Sequence, residues 1–308
     1  MSPLRVGTRG SALAVAQTST VADALTRATG RPTTIVTVRT EGDVSTRPLA
    51  QLGGAGAFAG TLRRALLAGA CDLVVHSLKD LPTVPEPGLV VAALPARADA
   101  RDALCTRDGR TLATLPPGAR VGTGSPRRVA QLLSRRPDLE VVDVRGNVDT
   151  RLGKVAAGEL DAVVLAAAGL DRLGRSQAAT ERFALDDWLT APGQGALAVE
   201  VRAGEEDLVA VLDDPATRVA VEAERRVLAL LEAGCSAPVG VHAQLVGDEL
   251  RLQARVYRLD GSQSLSSSAT GTLPTTRTEA AAPAEALAAR VARELLDAGA
   301  ARMAGVGA

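Results

Sequence analysis

A chain of 308 residues is too long for one ordinary core, and 46% hydrophobic residues suffice for several, so two or three domains are expected. Lys+Arg and Asp+Glu both number 35 and cancel, which argues against a nucleic-acid protein, a class that usually carries a basic excess. Cys71, Cys105 and Cys235 lie far apart with no Cys-x-x-Cys pair, so neither a disulfide framework nor a zinc site is indicated.

No signal peptide and no apolar run of about 18 residues is visible, so a cytoplasmic protein without membrane contact is expected. Aromatic residues are only 1%, which leaves Ala, Val and Leu to build the cores. The basic residues are arginine except Lys79 and Lys154.

Strand-like and helix-like segments alternate from the start. Leu4–Thr8 reads as a strand, and Leu13–Ala28 as a helix opened by Ser11, a plausible N-cap. Thr33–Thr40 is a β-branched strand, Phe58–Leu67 a helix, and Leu73–His76 a short apolar strand. This β-α-β-α-β order predicts a parallel sheet. A second unit follows the same plan: Arg120–Gly122, Glu140–Val144 and Ala162–Ala166 as strands, with Pro126–Ser134 and Val148–Ala157 as helices. Pro95–Asp102 and Thr190–Gly195 look like crossovers. Beyond Pro215 the texture changes to a charged helix (Arg218–Leu231), three strands (Val239–Val246, Leu250–Leu259, Ser264–Thr272) and an Ala-rich helix (Glu279–Ala298). The expected division is 1–95 with 194–214, then 96–193, then a smaller α+β domain over 215–308. No repeat of fixed period is visible in the sequence.

Chemistry concentrates where strands end. The exit His76-Ser77-Leu78-Lys79-Asp80 puts polar side chains at the carboxyl edge of a parallel sheet, where open α/β sheets bind ligands. By itself it could equally be a surface loop with a local ion pair. Thr8-Arg9-Gly10-Ser11 presents backbone N–H groups and a guanidinium at a helix start, which suits an anion or an ordinary cap. Gly122-Thr123-Gly124-Ser125-Pro126-Arg127-Arg128 repeats the design with two arginines in a first helical turn, where they oppose the macrodipole and call for an anion. Arg145 and Arg151 flank the next exit, and Arg172 follows the one after. Three successive exits bearing arginine point to a ligand with several carboxylates or phosphates.

Gly54–Ala59 formally matches a dinucleotide fingerprint, but no apolar strand precedes it, and it reads as a Gly-rich loop. Cys235, in Gly234-Cys235-Ser236-Ala237-Pro238, is either a small core residue or a loop thiol able to serve as nucleophile or attachment point. No His/Cys/carboxylate cluster has metal-ligand spacing, so no metal is expected.

Taken in order, Thr8–Ser11, His76–Pro82, Gly122–Arg128, Arg145–Arg151, Ala166–Leu173, Pro192–Ala196 and Gly234–Gly240 resemble the hydroxymethylbilane synthase (porphobilinogen deaminase) family over nearly the whole chain. The resemblance implies two domains like the lobes of type-II periplasmic binding proteins around a cleft, and a C-terminal α+β domain. It implies a dipyrromethane cofactor, thioether-linked to the residue matching Cys235, that is extended by four porphobilinogen units with loss of ammonia. Asp80 matches the catalytic carboxylate, which stabilises the azafulvenium cation. Arg9, Arg127, Arg128, Arg145, Arg151 and Arg172 match carboxylate-binding positions; Ser11, Lys79, Thr123 and Ser125 match other polar contacts; Gln17, Phe58 and Gln194 match further cleft positions.

Lysines common in the family near Gln51 and Ala55 are missing, and Gly124 stands where Ser is frequent. The family further implies a monomer whose product passes to a tetrapyrrole-cyclising enzyme. A non-catalytic binding protein built on the same lobes would need neither Asp80 nor Cys235.

Overall fold

A computed structural model describes residues 2–38, 56–233, 237–274 and 276–304. The chain separates into two compact units, Met1–Ala98 with Ala196–Arg218, and Asp99–Gly195 with Val219–Ala308.

In the first unit, β1 (Leu4–Thr8) leads through Ser11 into helix α1 (Ala12–Thr29). The Ser11 hydroxyl accepts the Ala14 N–H at 3.3 Å, one of the orphan donors of a helix start. Gly30, at φ 68°, closes the helix in the left-handed conformation that glycine adopts freely. Strand β2 (Thr33–Thr37), helix α2 (Gly56–Leu67), β3 (Leu73–Ser77) and β4 (Leu89–Ala93) follow. The core packs Val21, Ala22 and Leu25 of α1 on Leu4, Val6, Leu73 and Val75. Leu62 and Leu66 of α2 cover the other face at Val74.

The second unit opens with β5 (Asp102–Thr106), β6 (Arg120–Gly122), helix α3 (Pro126–Arg135) and β7 (Glu140–Val142). Helix α4 (Val148–Ala156), β8 (Ala162–Ala166), helix α5 (Ala167–Arg172) and the short β9 (Glu181–Arg182) complete its sheet. Pro126 stands at the start of α3, where its missing N–H is no loss, and Asn147 caps α4 by accepting the Thr150 N–H at 2.8 Å. The chain then returns to the first unit as β10 (Leu197–Arg202).

Each sheet has five strands, in the orders β2-β1-β3-β10-β4 and β7-β6-β8-β5-β9. In both, three parallel strands sit beside one that runs antiparallel to its two neighbours, β10 or β5. The two orders are one topology. The sheets are therefore mixed rather than purely parallel. The expected crossovers Pro95–Asp102 and Thr190–Gly195 each lead into the antiparallel strand, which pairs with chain far away in sequence.

After helix α6 (Pro215–Leu230), an antiparallel meander of β11 (Val239–Val246), β12 (Glu249–Tyr257) and β13 (Ser264–Thr272) packs against helix α7 (Arg277–Asp297), followed by the short α8 (Ala300–Ala304). Ala280, Ala284, Ala288, Val291 and Leu295 form one stripe at helical spacing, and their small side chains suit close packing on the sheet. Among the described residues no helix is long and apolar enough to cross a membrane.

Candidate active site

In the first unit, β3 ends in a 3₁₀ turn, Leu78–Asp80. Leu78 and Leu81 are buried and pin the turn from both ends, which leaves Lys79 half-buried and Asp80 exposed. Arg9, Gln17, Ala59, His76, Ser77 and Asp80 line a recess there. Its polar floor is organised, with Gln17 Nε2 donating to Ser77 Oγ at 2.9 Å. Beside it lies a buried ion group. Arg63 from α2 donates to Glu200 of β10 through Nε at 3.1 Å and Nη2 at 2.9 Å, and His76 Nε2 is 3.2 Å from the other Glu200 oxygen. Burial pushes the Glu200 carboxyl up, but His76 and Arg63 together hold it below the usual carboxylate value.

In the second unit the centre is Asp102, at the start of β5 and 0% exposed. Oδ1 accepts from Arg128 Nη2 at 2.6 Å and Gln194 Nε2 at 2.8 Å. Oδ2 accepts from Arg127 Nη1 at 2.8 Å and Trp188 Nε1 at 2.7 Å. Burial alone would raise this carboxyl, yet the adjacent charges of Arg127 and Arg128 drive it far below the carboxylate range. Two guanidinium charges against one carboxylate leave the buried group with an excess of positive charge. Arg151 of α4 and Arg172 of α5 are half-buried, each with its guanidinium pKa lowered by burial. Arg151 Nε donates to the Gly146 carbonyl at 2.9 Å, and Arg172 Nη2 to the Gly195 carbonyl at 2.7 Å.

The family model described as porphobilinogen deaminase, dipyromethane cofactor binding domain, matches residues 4–210, and that of the porphobilinogen deaminase C-terminal domain matches 218–297. The chain belongs to the porphobilinogen deaminase family. It is 61% identical over 272 residues to the porphobilinogen deaminase of Leifsonia xyli subsp. xyli, covering 86% of this chain and 83% of the relative. It is 53% identical over 314 residues to porphobilinogen deaminase 1 of Streptomyces coelicolor, covering 98% and 97%. Among solved structures it aligns with the methionine-binding protein MetQ at a TM-score of 0.43 and 12% identity, over 68% of this chain and 86% of that one.

Seen as a porphobilinogen deaminase family member, the chain distributes its candidate residues over both units. Arg9, Gln17 and Asp80 share the first-unit recess, with Lys79 in the adjoining turn. Ser11 uses its hydroxyl as the α1 cap. Arg127, Arg128 and Gln194 converge on Asp102 in the second unit. Thr123 is buried there, and its Oγ1 accepts the Ser125 N–H at 3.2 Å. Arg145 is exposed, 3.5 Å from Asp143. Phe58 lies in the first turn of α2. Cys235, and the loop positions Gln51 and Ala55, lie outside the described residues. Cys71 and Cys105 are buried, and burial raises both thiols, Cys105 to about 11, as expected of inert core cysteines.

Sequence reasoning missed Asp102, Glu200 and Glu224. Glu200 stands inside an apolar run, Leu197-Ala198-Val199-Glu200-Val201, Asp102 opens one directly after Arg101, and Glu224 lies in α6 among charged residues that hide it. A lone carboxylate inside a strand-like apolar run is the signal that was available, because a buried charge needs a partner.

Proposed function

We propose that the chain is a hydroxymethylbilane synthase, which joins four porphobilinogen molecules head to tail with loss of ammonia and releases the linear tetrapyrrole by hydrolysis. The observation that carries this reading is Asp80, an exposed carboxylate on the rim of a recess that also holds Arg9. A carboxylate there can accept hydrogen bonds from pyrrole N–H groups and stabilise the cation formed as ammonia departs, an electrostatic contribution of the kind that dominates many enzymes. Arg9 and Lys79 would take substrate carboxylates at the same rim. Each pyrrole carries an acetate and a propionate, so a growing oligopyrrole needs many cationic partners.

The second unit suits that need. The excess positive charge around Asp102, with Arg145, Arg151 and Arg172 in addition, matches a polycarboxylate, and guanidinium forks bind carboxylates bidentately. Thr123, Ser125 and Gln194 supply neutral polar groups around these arginines. Dipyrromethane, attached through Cys235, would supply the nucleophilic pyrrole carbon on which the chain is extended. We assign residues 1–95 with 194–214 and residues 96–193 to the two lobes, and 215–308 to the domain carrying the cofactor. The protein is proposed to act in the cytoplasm as a monomer and to pass its product to a tetrapyrrole-cyclising enzyme.

Intact-protein mass spectrometry tests the reading. The purified protein is expected to carry an adduct of two pyrrole units that is absent from Cys235→Ala, and an unmodified mass in active enzyme would falsify the attachment. Asp80→Ala should lower porphobilinogen turnover by at least on the order of 100-fold, the loss typical of removing a charge-stabilising group. Near-normal turnover removes Asp80 from the chemistry.

A further inference from the structure

We propose that Asp102 is a positioning residue that holds Arg127 and Arg128 as one preassembled clamp for a ligand carboxylate. A carboxylate has about four acceptor sites, and all are used here, two on each oxygen, by Arg127, Arg128, Trp188 and Gln194. Each guanidinium has a second anchor. Arg127 Nη1 also donates to the Leu189 carbonyl at 2.8 Å, and Arg128 Nη1 to the Val164 carbonyl at 3.0 Å. Arg128 is thus held through both Nη atoms and Arg127 through two acceptors on Nη1, which restrains both guanidiniums before any ligand arrives. Their Nε–H groups find no acceptor among the described residues.

The charge is set by the same contact. Without Asp102 two cations would lie side by side in a buried place and repel each other. With it the group carries a single excess positive charge, which one ligand carboxylate neutralises. Trp188 and Gln194 keep the Asp102 carboxylate from turning toward solvent or toward one arginine alone. Asp102 therefore acts through the arginines, and the identification of their ligand as a pyrrole carboxylate rests on the function proposed above.

The two effects of Asp102 predict opposite signs in Asp102→Asn. The substitution adds positive charge, so a group acting by charge alone would bind an anion more tightly. A positioning residue predicts weaker binding. In the cofactor-loaded enzyme, Asp102→Asn is expected to raise KM for porphobilinogen roughly tenfold or more, with a much smaller change in kcat for the loaded fraction. The loaded fraction itself, read by intact mass, should fall as well. Arg127→Met should behave similarly, and the double variant, whose net charge equals that of the wild type, should be no worse than Arg127→Met alone.

An unchanged or lower KM in Asp102→Asn, or effects that multiply in the double variant, would overturn the proposal. If Asp102→Asn does not fold, the comparison of the charge-balanced double variant with Arg127→Met decides by the same criterion. A wild-type protein with neither adduct nor turnover would sink the functional reading instead. The clamp is then judged in crystals of the Asp102→Asn and double variants. Guanidinium shifts of about 1 Å or more support it, since displacements of that size matter for binding geometry, and unmoved guanidiniums overturn it.

Discussion

Glu200 shows how one side chain decides local order. It sits in β10 at 2% exposure and holds both Arg63 of α2 and His76 of β3, the strand that delivers Asp80. Glu224 has a similar place in the second unit, accepting the Gly193 N–H at 2.6 Å and the Ala243 N–H at 2.7 Å. Removing one member of such a buried pair typically costs about 3–5 kcal/mol, because the other charge is stranded. Glu200→Gln is therefore expected to destabilise the protein by an amount in that range at neutral pH. Because the folded protein lowers the Glu200 pKa from its usual 4.5, this stabilisation is fully present above that value and is lost as pH falls through the folded value. Denaturant unfolding of both proteins from neutral to acidic pH should show the gap closing on the acid side. A gap that stays constant into acid would mean that the Glu200 charge is not its source.

At the scale of elements, the two five-stranded sheets match each other strand for strand, although the sequence has no repeat of fixed period. Gly7 in β1 pairs with Val74, and Gly122 in β6 pairs with Val163. A Cβ at Gly7 would lie 2.8 Å from the Cys71 sulfur and from Val74, and one at Gly122 would lie 2.7 Å from Leu160 and 2.8 Å from Val144. Both glycines let side chains close over corresponding strands of the two sheets, β1 and β6. Gly122→Ala should thus cost about 1–3 kcal/mol, the usual penalty for overpacking, as measured by the denaturation midpoint. An unchanged midpoint would show that Leu160 and Val144 yield freely.

Most helices and the parallel strands were legible because the Ser11 cap, Pro126 and hydrophobic periodicity are local signals. Strands β4, β5, β9 and β10 were not read. In β10 the charged Glu200 interrupts the apolar pattern and in β5 Asp102 opens it, and the antiparallel partners of both strands are distant in the chain.

At the scale of the whole molecule, a formal net charge of zero conceals a strong local imbalance, with arginines gathered at the strand exits of the second unit. If they bind carboxylates, added salt should screen the attraction. KM for porphobilinogen is expected to rise severalfold between low ionic strength and about 0.5 M salt, where the screening length falls well below 10 Å. A salt-independent KM would remove long-range charge from recognition.

The family and the order of the main elements were set by the sequence alone, because motifs such as His76–Asp80 and Gly122–Arg128 are contiguous and their chemistry is carried by residue type. So was the candidacy of Arg127 and Arg128, as two cations in a helical turn that disfavours them. Only the tertiary structure decided that the first anion they meet is Asp102. That carboxylate is in direct contact in the fold, 2.8 Å from Arg127 Nη1, but 25 residues earlier in the chain, and a buried charge pair leaves no periodic mark in the sequence. The strand exit His76–Asp80 had two readings open by its own residues, surface loop or ligand site. Burial of Leu78 and Leu81, which turns Asp80 outward beside Arg9, is long-range packing that no local pattern contains.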